Sequence, residues 1–482
     1  MYDKIGNFID ERGMEGEKML IKFKVKNVLS FKDLVEFSMV AGSTFKNDDR
    51  LVNCNNFKLL KFSSVFGANA SGKSNFVKAF VIMNRLVIKS FPNHSVNFSY
   101  KLQENIKESN SYFETILLID KKSYSYGFEV DFSNDKFVSE WLYELNDSNE
   151  KIIFERDAIN KTITFGKMFK ADVRKKLEFY AEDVKQNDSI LLLNFLNNDK
   201  PSLYVYPEAE IFEKVFNWFA KSLHIADPNT TITSGEYFKV ENRLKELSDF
   251  MQRFGTGIYS IKKSKKEQED AKAELPTFII NDVYSISMRR MKAENFNGVS
   301  TLLRFEKSFW IIKVKQDGTM SYEKILFYHD KNNQYPFTLA DESDGTARIL
   351  ELAEILLSDE KNKTYIVDEL DRCLHPQLTC KFIKEFLEKA KVEGNNNQLI
   401  VTTHESRLLD FNILRRDEIW FVEKKDNASN LYSLEEFNVR FDKKIDKAYL
   451  EGRYGGVPIF DEVFPNVISG NENQNKWKVL WA

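Results

Sequence analysis

Eight consecutive residues, Gly67-Ala68-Asn69-Ala70-Ser71-Gly72-Lys73-Ser74, fit the pattern GxxxxGK[ST] and restrict this chain more than anything else in its sequence. The pattern works only between a strand and a helix. Phe62 to Phe66 (FSSVF) is a short apolar run of strand character, and Lys73 to Leu86 reads as a helix, so both flanks are present. The glycines let the backbone wrap an anion, so that successive N–H groups and the positive end of the helix face one phosphate cluster. Lys73 would reach the β- and γ-phosphates of a nucleotide, and Ser74 would ligate Mg²⁺. The expected ligands are ATP and Mg²⁺, and the candidate phosphate-binding residues are Gly67, Asn69, Ala70, Ser71, Gly72, Lys73, Ser74 and Asn75.

A phosphate-binding loop alone does not separate kinases, GTPases and ATPases, so the partner motifs carry the distinction. Thr364-Tyr365-Ile366-Val367-Asp368-Glu369 reads as a buried strand ending in two carboxylates. Asp368 would hold Mg²⁺, through a bound water, and Glu369 would polarise the attacking water. A further apolar strand, Gln398 to Val401, leads into Thr402-Thr403-His404, where His404 has the place of a residue that senses the γ-phosphate.

Glu342-Ser343-Asp344-Gly345-Thr346-Ala347-Arg348 precedes the acid pair and opens a helical stretch, Thr346 to Leu357. Ser343 with the first amides of that helix forms a second anion-binding arrangement in a chain whose P-loop already holds one. Two phosphate-gripping helix ends imply two halves of one site. In order with the other motifs, the segment reads as an ABC signature, with Ser343, Asp344, Gly345 and Thr346 expected to act in trans on the nucleotide of a second protomer.

The order GANASGKSN, ESDGTAR, YIVDELDRCLHP and VTTHES resembles the stand-alone, ABC-like (SMC/RecF-related) AAA ATPases of bacterial anti-phage and abortive-infection operons, of the AbiLi and RloA type. The segment Tyr449 to Pro458 (YLEGRYGGVP) is similar to one that closes those proteins. The resemblance implies that Lys73 and Ser74 bind phosphate and Mg²⁺, that Asp368 binds the metal, and that Glu369 is the catalytic base. It also implies that His404 is the switch residue and that Ser343 and Gly345 act in trans. Two departures from transporter ABC proteins stand out: the signature is SDGT rather than SGGQ, and His375 occupies the D-loop place of an aspartate. Gln103 is the nearest Q-loop candidate.

The expected fold is α/β, a two-lobed ABC-type ATPase head built from a mixed sheet with an antiparallel β subdomain and interrupted by an inserted, mostly helical region. The boundaries read as a polar leader over 1–18, lobe I with the P-loop over 19–165, the helical or α+β insertion over 166–335, and lobe II over 336–482. Either Met1 or Met19 could be the native start. Within the insertion, Val240, Leu244, Leu247, Met251 and Phe254 recur at helical spacing and are expected to pack on the parent domain. Lys262, Lys263, Lys265 and Lys266 are expected on a solvated helix face.

Seventy Lys and Arg against 73 Asp and Glu give a net charge of −3, so nucleic acid is a possible partner without an evident global signal. Cys54, Cys373 and Cys380 have no metal-ligand spacing and read as free thiols of a reducing, cytoplasmic compartment. No run approaches the ~20 apolar residues of a membrane span. The expected function is an ATP-hydrolysing switch that dimerises on ATP, as a homodimer or an assembly of dimers, and regulates a separately encoded effector, such as a nuclease, in an anti-phage system. The alternative is a DNA-repair or recombination clamp of the RecF/SMC type, whose usual long coiled coils and basic groove are not in plain view here. A nuclease of the OLD-like kind is disfavoured, because the stretch after His404 is too short for a TOPRIM domain and holds no DxD pair.

Overall fold

The computed structural model describes residues 16–42, 48–91, 96–102, 110–146, 149–227, 236–294, 296–392, 394–437 and 445–457. Gln103, Pro458 and most of the 1–18 leader lie outside them. The described residues begin with β1 (Lys18–Lys26) and β2 (Val35–Ser38), then a two-residue pair, β3 (Val52–Asn53) and β4 (Lys58–Leu59). Next come β5 (Phe62–Phe66) and α1 (Lys73–Lys89), followed by the meander β6 (Ser111–Ile119), β7 (Lys122–Asp131), β8 (Lys136–Leu145), β9 (Glu150–Asp157) and β10 (Thr162–Phe165). In β1, Ile21, Phe23 and Val25 are buried while Lys22 and Lys24 reach the other face and pair with Glu36 and Glu114, the period of two that marks a one-sided strand. These strands form one antiparallel sheet in the order β10-β9-β8-β7-β6-β1-β2.

Helices α2 (Ala171–Lys185), α3 (Leu192–Asn197) and α4 (Glu210–Asn217) pack with that sheet, and β11 (Leu223–Ala226) follows. After α5 (Glu236–Lys239) and α6 (Glu241–Arg253) come β12 (Ser260–Lys266), α7 (Gln268–Glu274), α8 (Thr277–Glu294), β13 (Gly298–Phe305), β14 (Ser308–Lys315), β15 (Met320–Tyr328) and β16 (Pro336–Phe337). Strands β12 to β16 make a second antiparallel sheet. Trp310, Ile312 and Val314 face α7 and α8, whereas Phe309 and Ile311 share a core with α6 and the helices beyond. The last part is α9 (Asp344–Leu357), β17 (Thr364–Val367), α10 (Pro376–Ala390), β18 (Gln398–Thr402), β19 (Ile419–Lys425), β20 (Ala428–Ser433) and α11 (Ile445–Leu450).

The sheet that carries the site runs β11-β17-β18-β5-β19-β20, parallel throughout except for β20. It is covered on both faces, which is why its strands read as unbroken apolar runs. Val65, Ile366, Ile400 and Trp420 face the α1 side; Phe66, Val367, Val401 and Phe421 face the side of α9 and α10. Helix α1 is wedged between this sheet and the antiparallel one: Phe80 stacks on Phe23 of β1, and Phe37 of β2 touches both Phe76 and Trp420.

Leu244, Leu247, Met251 and Phe254 bury their side chains in the core shared with α9, and Val240 stands outside the helix as an exposed cap. Lys262 to Lys266 lie on strand β12 and not on a helix. β12 is an edge strand, where lysines discourage pairing with another chain, and lysines on both faces hide the strand alternation in the sequence. The three cysteines are free thiols, and no helix among the described residues is long and apolar enough to cross a membrane.

Candidate functional site

Because β17, β18 and β5 are adjacent and parallel, their C-terminal ends open on one edge of the sheet. Parallel α/β sheets place ligands at that edge. It brings together the loop after β5, the acid pair after β17 and His404 after β18. Two backbone bonds lock the three ends in step, Thr403 N–H to Val65 O and Leu370 N–H to Thr402 O.

The loop after β5 is shaped as an anion cradle. Ala70 and Gly72 have φ of +61° and +119°, and a Cβ at Gly72 would run into the Ser429 hydroxyl. Lys73 is buried, and its Nζ donates to Gly67 O at 2.7 Å and Ala68 O at 2.9 Å, so it folds back over its own loop. Ser74 follows it in the first turn of α1, while Asn69 and Ala70 are exposed at the tip. The back of the loop is held by hydroxyls distant in the chain: Ser429 Oγ donates to Ser71 O, Ser429 Oγ and Ser30 Oγ lie 2.8 Å apart, and Asn75 Nδ2 donates to Ser30 Oγ. The Ser71 hydroxyl is buried with no hydrogen-bond partner among the described residues. A phosphate oxygen fits that orphaned donor and the raised cradle, and Ser74 with Asp368 is an all-oxygen pair of the kind Mg²⁺ takes.

Burial pushes the Lys73 ammonium down to about 8, against the opposing charges of Asp368, Asp371 and Glu369. Asp368 is buried, and its Oδ1 accepts a 2.5 Å hydrogen bond from Thr402 Oγ1. Glu369 is half-buried in the left-handed region at φ +47°; its N–H donates to Thr402 Oγ1 at 2.8 Å. Arg348 Nη2 donates to the carbonyl oxygens of both Asp368 and Glu369 at 3.1 Å. The backbone N–H of His404 donates to the Asp371 carboxylate, and partial desolvation together with the Lys73 charge holds the His404 ring below its ordinary pKa.

The signature residues stand apart from this cluster. Ser343 is the N-cap of α9, its Oγ accepting from Thr346 N–H at 3.1 Å. A Cβ on Gly345 would lie 2.8 Å from Cys373 O, so the helix start is pressed against the turn after β17. Asp344 lies 3.7 Å from Lys307. Among the described residues, no hydrogen bond or ion pair links Ser343, Asp344, Gly345 or Thr346 to residues 67–75. His375 is the N-cap of α10, its Nδ1 accepting from Gln377 N–H.

A family model described as "AAA domain, putative AbiEii toxin, Type IV TA system" matches residues 62–410. The chain belongs to this AAA family. The match begins at the first residue of β5 and ends just past His404, so the loop after β5, the signature segment, the acid pair and His404 all lie inside it, while Ser30 and Ser429 behind the loop lie outside. No curated protein matches the chain. A solved structure of the recombination mediator protein RecF with ATP, from the RecFOR pathway, is similar at 15% identity with a TM-score of 0.32, covering 88% of this chain and 100% of that one. So loose a superposition adds nothing to the site geometry.

Sequence reasoning passed over three contributors to the AAA site: Thr402, Asp371 and Arg348. Each lies in a motif already marked for another residue, in VTTHES, VDELDR and ESDGTAR. Polar residues within such runs were the available signal, but their partners lie on other elements.

Proposed function

We propose that this chain is an ABC-type ATPase that closes head to head as a homodimer on ATP and serves as the sensor or regulator of an anti-phage, abortive-infection system, controlling a separately encoded effector. The observation that supports hydrolysis is the convergence of Lys73, Asp368, Glu369 and His404 on one sheet edge, around a loop with an orphaned donor at Ser71. The α9 start, capped by Ser343 but without a bond to the P-loop of its own chain among the described residues, supports the trans half of the site.

In this reading the Gly67–Asn75 loop binds the phosphates of the substrate, and Lys73 exchanges its two backbone carbonyls for phosphate oxygens. Ser74 and Asp368 would hold Mg²⁺, which supplies charge neutralisation for the phosphates. Glu369 accepts a hydrogen bond from the attacking water and orients it, while neutral His404 lies at the same edge to sense the terminal phosphate. Ser343 and the first amides of α9 close the site from the second protomer.

The family description speaks of a toxin, and the AbiLi/RloA resemblance of a defence ATPase; we place this chain on the regulatory side of such a system, in the cytoplasm. A RecF-type DNA clamp would use the same ATP site, with nucleic acid as its partner. The direct test is Glu369→Gln, which should bind ATP and accumulate as a dimer by size exclusion, against Lys73→Ala, which should not bind. Hydrolysis by Glu369→Gln at the wild-type rate would remove Glu369 from its role. Strong stimulation of the wild-type ATPase by DNA would favour the clamp.

A further inference from the structure

Three basic side chains of the β12–β16 sheet meet three acids that bracket the start of α9. Arg304 Nη1 lies 3.0 Å from Glu351 Oε1, Lys307 Nζ lies 3.7 Å from Asp344 Oδ1, and His329 Nε2 lies 2.8 Å from Glu342 Oε1. Arg304 lies near the end of β13, Lys307 in the β13–β14 turn, and His329 follows β15. The basic side chains all come from one sheet and the acids from the signature segment and the α9 turn after it, so the seam has a direction.

One of the three contacts continues inward. The second oxygen of Glu351 lies 3.6 Å from Arg348 Nη1, and Arg348 Nη2 holds the carbonyl oxygens of Asp368 and Glu369. A line of polar contacts therefore runs from the sheet through Arg304, Glu351 and Arg348 to the backbone of the proposed base. That backbone needs holding, because the left-handed region is strained for a residue with a side chain. Thr402 fixes Glu369 on its N–H side and Arg348 on its carbonyl side. Arg348 is only 4% exposed and its Nε has no hydrogen-bond partner among the described residues, so the Glu351 carboxylate is what orients the guanidinium from the side of the sheet. A partly open pocket of about 280 Å³ lies at the seam, lined by Arg304, Lys307, Glu342, Asp344, Arg348 and Arg372.

We propose that Arg304 is a positioning residue: through Glu351 and Arg348 it lets the β12–β16 sheet set the backbone of Glu369, so that the state of this sheet governs hydrolysis without altering nucleotide binding. The inference rests on the ATPase reading above and adds the route by which the site is regulated. Among the described residues no hydrogen bond or ion pair joins Arg304, Glu351 or Arg348 to Lys73 or the loop that holds the phosphates, so the effect falls on kcat more than on KM.

The experiment compares the full chain with Arg304→Gln, Arg304→Lys and Lys313→Gln, a control whose partner, Glu323, lies within the same sheet and off the line. Arg304→Gln should lose about tenfold or more in kcat, as small misplacements near a reacting group do, with KM for ATP within about twofold and an unchanged melting temperature. Arg304→Lys should recover much of the loss, and Lys313→Gln should match wild type. Wild-type hydrolysis with an unaltered Arg304→Gln rate overturns this inference alone, as does an equal loss in Lys313→Gln or no rescue by lysine. A wild-type chain that binds ATP and never hydrolyses it overturns the ATPase reading, and this inference with it.

Discussion

Thr402 Oγ1 donates to Asp368 Oδ1 at 2.5 Å, and the same oxygen accepts the Glu369 N–H, so one hydroxyl on β18 sets the spacing of both carboxyl-bearing residues at the end of β17. Its place is decided by strand order, since β17 and β18 are parallel neighbours whose ends coincide.

Thr402→Val keeps the shape of the side chain and removes the hydroxyl, leaving a buried carboxylate oxygen and a backbone N–H without their partner. A lost bond to a charged group costs on the order of 1.5–3 kcal/mol, so the variant should melt at lower temperature and hydrolyse ATP about tenfold or more slowly. Thr402→Ser, which retains the hydroxyl, should lie close to wild type in both. The check is a thermal melt together with phosphate release; equal behaviour of the valine and serine variants would remove the bridging role.

Lys73 gives ATP binding a pH dependence whose sign follows from burial. In the free protein its pKa is lowered to about 8, and phosphates beside it would raise that value, so binding takes up a proton once the pH exceeds 8. Affinity should be flat below pH 7 and fall above pH 8, by about tenfold between pH 7 and pH 9 for one linked proton. Calorimetry in buffers of different ionisation enthalpy measures the uptake. Proton release on binding, or a flat affinity up to pH 10, would contradict the placement of Lys73.

Composite sites make the defects of different protomers complement each other. A Lys73→Ala chain and a Ser343→Arg chain should each be inactive alone. Their heterodimer holds one site with both lesions and one with neither, so mixing them should restore part of the ATPase activity when one intact site turns over by itself. Mixtures that form no ATP-dependent dimer and recover nothing would leave a P-loop protein that works in cis.

The proposed regulatory role requires that damage to the cell come from a second gene product. The purified chain with Mg²⁺ and ATP should leave plasmid DNA, total RNA and tRNA intact over hours, as read on gels. Degradation that disappears in Lys73→Ala would make the chain itself the effector.

Phe62 to Ser74 was legible because strand, glycine loop and helix are contiguous: the residues that shape the cradle are neighbours in the chain, and local backbone chemistry is enough to place them. The same holds for β17 with Asp368 and Glu369 and for β18 with His404, each an apolar run that carries its polar residues at its end. The lysines of β12 and the four-residue strand β11 were not legible, since an edge strand and a very short strand take their state from the neighbour they pair with and show little pattern of their own. Arg348, Thr402 and the Arg304–Glu351 pair belong to the tertiary structure alone. Each acts on atoms carried by another element, and a hydrogen bond from a side chain to a distant carbonyl leaves no period in the sequence, because only the packing of α9 and β18 beside β17 brings donor and acceptor within reach.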